Sequence, residues 1–329
     1  MREALHYTPH DKGIACSLCP KNCFINEGQT GFCRVRQNTG GRLYSLNYAQ
    51  ATAQALDPIE KKPLYHFYPG SHILSLGTWG CNFACRFCQN WHIAHANPQV
   101  TALEPQAAAA LANHLLGQGN IGIAYTYSEP TVWYEYILDT ASLVQAGGLK
   151  NVLVTNGFIN PKPLQELLPY IDAINIDVKA FNNDFYQKVC AGQLDQVKET
   201  VKLAAQQCHI EITTLIVPGL NDSDAEIADM AEWLADISPD IPLHLSRYFP
   251  NYKMDAPPTP VSTLEQAGKI ACQALNYVYL GNTGGEGSVT YCPECCYKVI
   301  DRLKRNSRLN KKNCPRCGSS ISITGEVKF

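Results

Sequence analysis

The stretch GCNFACRFCQNW, residues 80–91, places three cysteines within a dozen residues and follows the apolar run HILSLGTW at residues 72–79. Cys81, Cys85 and Cys88 are spaced Cys-x3-Cys-x2-Cys. On a helix, offsets of four and three would put all three thiols on one face, so one interpretation is a buried cysteine stripe. The glycine, Asn82 and the polar flanks favour a loop that binds metal instead.

Composition restricts the class of protein. The chain has 329 residues, 45% of them hydrophobic, which is enough for one large domain with smaller modules attached. The formal net charge of −2 argues against nucleic acid or an anionic membrane as a partner of the whole molecule. The sequence has no apolar run near the roughly 18 residues of a membrane span, and MREALHYTPHDKG at its start is no signal peptide. We expect a cytoplasmic protein.

The cysteines form groups. The chain has 15 of them, and thiols grouped in a long chain without an export signal bind metal more often than they form disulfides. Three groups are formed by Cys16, Cys19, Cys23 and Cys33; by Cys81, Cys85 and Cys88; and by Cys292, Cys295, Cys314 and Cys317.

Between the first and last groups, short β-branched or aliphatic runs alternate with amphipathic segments. The predicted strands are HILSLGT, IGIAYTY, NVLVTNG, AINIDVK, IEITTLIVPG, PLHLSRYF and YVYLGN, and the predicted helices span about 104–117, 130–146, 161–169, 195–207, 223–236 and 262–276. This alternation predicts a parallel α/β sheet, and the lack of an obvious reversal favours an incomplete barrel over a doubly wound sheet. We expect three modules: residues 1–50, 51–285 and 286–329.

Polar side chains follow these strands. Glu129, Asn156, Asp177 and Lys179 stand at strand ends, with His244 just inside a later one. In a barrel, the carboxyl ends of the strands meet at one face, where the loops carry the chemistry. Each residue alone could be a helix cap or a turn residue. Together they predict one polar rim, beside which the cysteine loop also lies.

Two kinds of metal suit the triplet. His92 follows Cys88 closely and would complete a Cys3His zinc site. Alternatively, three thiolates hold a four-iron cluster and leave one iron free for a small-molecule ligand. The polar rim favours the second reading, because a non-catalytic adaptor that binds several zinc ions needs no such rim.

The two terminal groups differ in pattern. The tail spacing Cys-x2-Cys-x18-Cys-x2-Cys is typical of a zinc ribbon, with rubredoxin-type iron as the lesser option, and we expect a short final strand after it. The basic segment YKVIDRLKRNSRLNKKN between its pairs is either a solvated loop or a surface for an acidic partner or RNA. The head group has little periodicity, so we expect metal rather than a core to organise it, as zinc or as an auxiliary iron–sulfur cluster.

The triplet, with Phe87 before its last cysteine, resembles the signature of radical S-adenosylmethionine enzymes. The blocks YTYSEPTVWYEY, NGFINPKPLQELLPYIDAINIDVKAF and LHLSRYFPNYKM extend the similarity to the AmmeMemoRadiSam system radical SAM enzyme, a family close to the pyruvate formate-lyase activating enzymes. The resemblance includes both flanking cysteine groups. It implies a partial (βα)6 TIM-type barrel with an N-terminal Cys-rich metal-binding segment and a C-terminal zinc ribbon.

The resemblance also implies roles for the rim. Cys81, Cys85 and Cys88 would bind the [4Fe-4S] cluster. Its fourth iron would chelate S-adenosylmethionine. Cofactor-binding positions would be Ser128, Glu129, Asn156, Asp177, Lys179 and His244. In the superfamily two glycines precede the glutamate, and here Tyr127 and Ser128 replace them, which puts close backbone approach to the cofactor in doubt.

The implied reaction is reductive cleavage of S-adenosylmethionine to a 5′-deoxyadenosyl radical that abstracts hydrogen from a substrate. The radical is the reactive species, so no protein acid, base or nucleophile is predicted for the first step. The implied electron donor is a flavodoxin or ferredoxin, and Ammecr- or Memo-type proteins are the implied partners. Activation of a glycyl-radical enzyme is the alternative reaction, and a multi-zinc adaptor or RNA-binding protein is the alternative of another class.

Overall fold

The computed structural model describes residues 1–283 and 286–329. Its centre is an eight-stranded sheet in which hydrogen-bonded neighbours follow chain order throughout. The strands are β1 Ala53–Pro58, β2 His72–Gly77, β3 Asn120–Tyr125, β4 Lys150–Thr155, β5 Ala173–Asp177, β6 His209–Ile216, β7 Leu243–Arg247 and β8 Val278–Gly281. From β2 to β8 all pairs are parallel, whereas β1 is antiparallel to β2. The predicted α/β fold with a parallel sheet is confirmed.

The helices lie between the parallel strands as predicted. They are α1 Trp91–Ala94, α2 Pro105–His114, α3 Tyr134–Ala146, α4 Pro161–Leu167, α5 Asn183–Phe185, α6 Leu194–Ala205, α7 Asp224–Ile237 and α8 Val261–Ala271. Pro105 and Pro161 occupy the first turn of α2 and α4, where the missing N–H costs nothing. Helix α6 buries Val197, Val201 and Ala204, which repeat at helical spacing and pack against the sheet. No helix in the described ranges is long and apolar enough to cross a membrane.

The cysteine triplet lies in a loop between β2 and α1, so the helical stripe is wrong. Two of its backbone N–H groups bond to a distant segment, and only Cys88 N bonds to the preceding turn, at Cys85 O. Ala84 N donates to Cys190 O at 2.8 Å and Arg86 N to Val189 O at 3.0 Å. The Asn82 side chain donates to Phe158 O at 2.7 Å, which anchors the loop to the segment that follows β4. These long-range bonds replace the bonds of a helix.

Buried side chains of the head join the hydrophobic core of the central sheet and helices, which corrects the expectation that metal rather than a core organises the head. Ile14, Ile25, Val35 and Leu43 are at most 1% exposed. The alternation of buried and exposed residues is hard to see in the sequence because the head strands have four residues or fewer. They are Arg2–Glu3, Tyr7–His10, Gly13–Cys16, Phe24–Ile25, Arg36–Thr39, Arg42–Ser45 and Gln50–Ala51, the last paired with Thr101–Ala102.

The tail is a small antiparallel sheet of Val289–Tyr291, Lys298–Asp301 and Asn306–Ser307. The expected final strand is reduced to a single bridge between Thr324 and Phe67. The tail packs on residues at the amino ends of the parallel strands: Ser322 O contacts His66 Nδ1 at 2.5 Å, and Thr324 Oγ1 contacts His209 Nδ1 at 3.2 Å. It therefore covers the end of the sheet opposite to the strand-end loops.

Candidate active site

A cavity of about 360 Å³ opens where the parallel strands end. Every parallel strand contributes to its wall, by its last residues or by the loop that follows. Contributions from β2 to β8, in order, are Cys81, Glu129, Asn156, Asp177, Thr213, Ser246 and Asn282. The structure therefore brings the cysteine loop and most of the predicted rim together.

The three thiols of the loop all line this cavity. Cys81 Sγ accepts hydrogen bonds from Phe83 N at 3.4 Å and from Asn156 Nδ2 at 3.9 Å. Burial raises the pKa of the Cys81 thiol, so the ionised form needs a positive partner. A hydrogen bond with Cys190, a residue that the sequence did not single out, lowers the pKa of Cys85. A bound metal would supply the positive charge that the ionised form of these thiols needs.

His92 does not join the three thiols. All three thiols line the cavity, whereas His92 is exposed and is not part of the cavity wall. The structure therefore gives no support to a Cys3His zinc site at the triplet.

Glu129 is buried and held by three donors. Its carboxylate accepts from Thr155 Oγ1 at 2.7 Å, Asn156 N at 2.8 Å and Thr131 N at 2.9 Å. Burial raises its pKa, although these donors oppose the rise. Because Asn156 also donates to Cys81 and Asn82, the carboxylate helps to position the loop of the thiols.

The two residues in place of the superfamily glycines have distinct geometry. Tyr127 adopts φ 68°, the left-handed region that glycine usually occupies. Its hydroxyl donates to Asp57 Oδ2 at 2.8 Å, which turns the side chain along the cavity. Ser128 Oγ is buried, lines the cavity and has no hydrogen-bond partner among the described residues. A buried hydroxyl without a partner suits a polar ligand in this cavity.

Asp177 and Lys179 form an ion pair of 2.5 Å on the cavity wall. Burial opposes the charge of Lys179, but Asp177 and Cys85 outweigh burial and hold its pKa above the ordinary value. Lys179 therefore stays cationic beside the thiols. It presents a fixed positive charge to any anionic group that enters the cavity.

His244 is not brought to the cavity wall. It shares a strand face with Ser246 but lies two residues deeper, where its Nε2 contacts Glu211 Oε2 at 2.7 Å. Burial of Glu211 raises its pKa, yet its bonds with His209 and His244 outweigh burial and lower the pKa below the usual value. This layer forms a floor beneath the cavity, so contact of His244 with a ligand stays a prediction.

Lys62 was missed by the sequence analysis. It lines the cavity, and its Nζ lies 2.8 Å from Asp57 Oδ2 and 4.8 Å from the centre of the Tyr127 ring. Lys62 follows β1, the one strand of the central sheet that runs antiparallel to its neighbour. A search of the ends of parallel strands therefore does not find Lys62. The pair of adjacent lysines at residues 61 and 62 was the available signal.

The tail cysteines gather tightly. Cys292 Sγ and Cys317 Sγ lie 3.5 Å apart, and Cys295 Sγ and Cys314 Sγ lie 3.6 Å apart. Both distances are close to the edge of a zinc tetrahedron, about 3.8 Å. A hydrogen bond with Ser319 lowers the pKa of Cys317 to about 6, which makes this thiol ready to bind metal. The structure thus shows a compact four-thiol metal site.

The head cysteines Cys16, Cys19, Cys23 and Cys33 line a second, smaller cavity together with apolar side chains. Cys16 and Cys33 are buried and the other two are half-buried. Lys21 and Arg36 are the cations in its wall. The four predicted ligands therefore line one cavity.

Comparisons with known proteins agree with this geometry. The sequence profile of the Radical SAM superfamily matches residues 76–234. The chain is 42% identical to the uncharacterized protein MJ0808 of Methanocaldococcus jannaschii, over 98% of this chain and 99% of that protein. It is 26% identical to the putative glycyl-radical enzyme activating enzyme MJ1632 of the same organism, over 62% of this chain and 79% of that protein.

A solved structure shares the fold. A radical SAM methyltransferase from Sphaerobacter thermophilus superposes with a TM-score of 0.52 at 15% identity, covering 67% of this chain and 68% of that chain. The profile match and the similarity to a putative activating enzyme support an enzyme rather than a non-catalytic adaptor. The matched profile starts at the end of β2 and includes the whole cysteine loop, and the chain belongs to the radical SAM superfamily of enzymes.

Proposed function

We propose that this enzyme binds a [4Fe-4S] cluster through Cys81, Cys85 and Cys88 and cleaves S-adenosylmethionine reductively beside it. The observation that carries the proposal is a single cavity that contains the three thiols and a set of charged and polar groups matched to an amino acid and a ribose. When bound, the cluster and S-adenosylmethionine supply one-electron cleavage to a 5′-deoxyadenosyl radical that abstracts hydrogen from a substrate.

The residues of the wall would bind and orient the cofactor. Lys179 suits the methionine carboxylate, and Asp177 suits a ribose hydroxyl or the ammonium group. The free hydroxyl of Ser128 supports a contact with the ligand, while Glu129 and Asn156 hold the thiol loop in place. His244 would lie near the ribose, in the layer of side chains beneath the cavity. The buried walls keep water away from a reactive species.

We also propose the finer architecture. The continuous order of parallel strands from β2 to β8 supports a partial (βα)6 barrel, and the compact thiols of the tail support a zinc ribbon. The three modules would be residues 1–50, 51–285 and 286–329. The cysteine triplet and the three further matching blocks support membership in the AmmeMemoRadiSam system, with Ammecr- or Memo-type proteins as partners. Radical SAM enzymes commonly take electrons from flavodoxin or ferredoxin.

A second reaction is activation of a glycyl-radical enzyme. It is favoured by the similarity to a protein named a putative glycyl-radical enzyme activating enzyme. In that case the hydrogen donor would be a glycine of a protein partner. The two reactions differ in substrate and share the same site.

The test is anaerobic reconstitution with iron and sulfide, followed by reduction in the presence of S-adenosylmethionine. We expect methionine and 5′-deoxyadenosine as products, and a change in the electron paramagnetic resonance spectrum of the reduced cluster when S-adenosylmethionine is added. A reduced cluster that neither responds to S-adenosylmethionine nor cleaves it would contradict the proposal.

A further inference from the structure

The positive charge of this protein is concentrated in its tail. Residues 286–329 contain nine Lys and Arg against four Asp and Glu, a net charge of +5. The rest of the chain contains 18 Lys and Arg against 25 Asp and Glu, a net charge of −7. A zinc ion held by four thiolates would add a charge of −2, so the tail would still carry about +3. Such a division of charge between two parts of one chain indicates an anionic partner for the basic part.

Most cations of the tail are free of ion pairs. Lys298 lies 3.6 Å from Asp301, and the guanidinium group of Arg302 donates to backbone carbonyls. Six further cations are exposed, and none of them has a carboxylate within 4.0 Å among the residues that the structure describes. They are Lys304, Arg305, Arg308, Lys311, Lys312 and Arg316. A surface that serves only solubility carries both signs of charge interspersed, whereas this one carries a single sign.

The backbone arranges these cations as a row. The hairpin turn at residues 302–305 carries two of them. A second turn, at residues 310–313, is closed by backbone hydrogen bonds of 3.0 and 2.9 Å and carries two more at its tip. Arg308 lies in the segment between the turns, where its N–H donates to Val299 O at 2.9 Å. An extended chain rises about 3.3 Å per residue, so the row is at most about 30 Å long and suits a linear polyanion.

Two tyrosines lie among the cations. Tyr291 is 42% exposed and is paired in register with Lys298. The Tyr297 hydroxyl accepts a hydrogen bond from Arg308 at 3.3 Å, and the guanidinium carbon lies 5.8 Å from the centre of the Tyr297 ring. Bases of single-stranded nucleic acid stack on such rings while their phosphates contact Lys and Arg. Nucleic acid therefore matches this surface more completely than a carboxylate-rich protein, which supplies the negative charge alone.

We propose that the tail binds the phosphate backbone of single-stranded nucleic acid, with Tyr291 and Tyr297 as stacking positions for bases. The tail covers the end of the sheet opposite to the cavity, so a bound strand leaves the candidate active site open. Because the surface contacts phosphates rather than base edges, the affinity depends on salt and little on base sequence. This inference does not rest on the proposed function.

The test is a fluorescence anisotropy titration of a labelled oligouridine of about 20 nucleotides with the full chain. Lys304→Glu/Lys311→Glu/Lys312→Glu should weaken binding at least about tenfold at low salt. The slope of log affinity against log salt should fall by about 0.7 for each phosphate contact that is lost. No binding by the wild type at about 50 mM salt would overturn the proposal.

A matched control changes the net charge equally at other exposed lysines. Lys12→Glu/Lys202→Glu/Lys269→Glu should bind the oligouridine about as tightly as the wild type. Both triple variants should melt close to the wild-type temperature, because all the substituted side chains are exposed. An equal loss of affinity in the two variants would assign binding to total charge and overturn the tail as the site.

Two further measurements separate nucleic acid from an acidic protein. Tyr291→Ala should weaken binding severalfold and leave the salt slope unchanged, since stacking involves no phosphate. Polyglutamate at an equal concentration of charges should displace the labelled strand far less effectively than unlabelled oligouridine. Equal displacement by polyglutamate would overturn nucleic acid in favour of an acidic protein partner, and wild-type affinity in Tyr291→Ala would overturn the stacking position.

Discussion

Asp177 Oδ2 and Lys179 Nζ lie 2.5 Å apart at the end of one strand, and both side chains line the same cavity as the three thiols. Asp177 and Lys179 are two residues apart, so their side chains point to the same side of the chain. The ion pair therefore forms without a residue from another element. The pair is buried enough to be strong and still faces the cavity, which leaves both charges available to a zwitterionic ligand.

The first prediction concerns Lys179. Lys179→Ala should weaken binding of S-adenosylmethionine by about ten- to a hundredfold, since a charge-assisted contact contributes about 1.5–3 kcal/mol. The cluster spectrum should stay unchanged without S-adenosylmethionine, because Lys179 is not an iron ligand. Lys188→Ala removes an exposed lysine from a comparable ion pair and should leave binding unchanged. Equal affinity of Lys179→Ala and the wild type in a binding titration would move the cofactor site elsewhere.

The second prediction separates Glu129 from Lys179. Glu129→Ala leaves three donors without an acceptor, and each buried donor left unpaired costs about 1–3 kcal/mol. We expect a lower melting temperature together with weaker binding, whereas Lys179→Ala should change binding more than stability. Glu265→Ala, at an exposed helix position, is the stability control. An unaltered melting temperature in Glu129→Ala would show that its carboxylate does not support the loop.

The third prediction concerns the tail. Cys314→Ser should remove one zinc per chain and lower the melting temperature, while the iron content is kept because the tail covers the end of the sheet opposite to the cavity. Cys296→Ser is a matched control: Cys296 is exposed and adjacent to the ligand Cys295 but outside the four-thiol group. Loss of iron from Cys314→Ser would mean that the tail also supports the active site.

The fourth prediction is a pH dependence that involves His66. Its Nε2 lies 2.6 Å from the Tyr279 hydroxyl, and burial lowers its pKa to about 3, so it folds in the neutral form. An unfolded histidine has a pKa of about 6.5, so below this pH the unfolded chain binds a proton that the folded chain does not. The stabilisation is complete above pH 6.5 and is lost as the pH falls from 6.5 towards 3. At pH 5 the loss is about 2 kcal/mol.

The corresponding measurement is the free energy of unfolding at pH 7.5 and pH 5. The difference between the two pH values should shrink in His66→Gln and stay unchanged in His92→Gln, which alters an exposed histidine. An identical difference in His66→Gln and the wild type would mean that His66 does not titrate on unfolding.

Much of the candidate site could be predicted because most of its polar residues lie at the carboxyl ends of strands. Glu129, Asn156 and Asp177 each come directly after a clear apolar run, and parallel strands bring such positions to one face. The cysteine loop was recognisable because it also follows an apolar run, at residues 72–79. Local patterns therefore specify both the sheet and the side of the sheet on which the cavity opens.

Other parts depend on contacts that no local pattern encodes. Glu211 lies inside a strand, and its partners His209, His244 and the backbone of His66 come from three elements. Lys62 reaches the cavity from the turn that follows the antiparallel strand β1. The burial of Ile14 and Leu43 in short head strands was hidden because four residues show too little alternation. These features arise from tertiary packing.

The most direct test of the central claim is the formation of 5′-deoxyadenosine by Cys85→Ala. Under anaerobic, reducing conditions with S-adenosylmethionine, the wild type and the control Cys272→Ala should form 5′-deoxyadenosine. Cys85→Ala should form none, because three thiolates are needed to hold the cluster and leave one iron open. Full 5′-deoxyadenosine formation by Cys85→Ala would contradict the account.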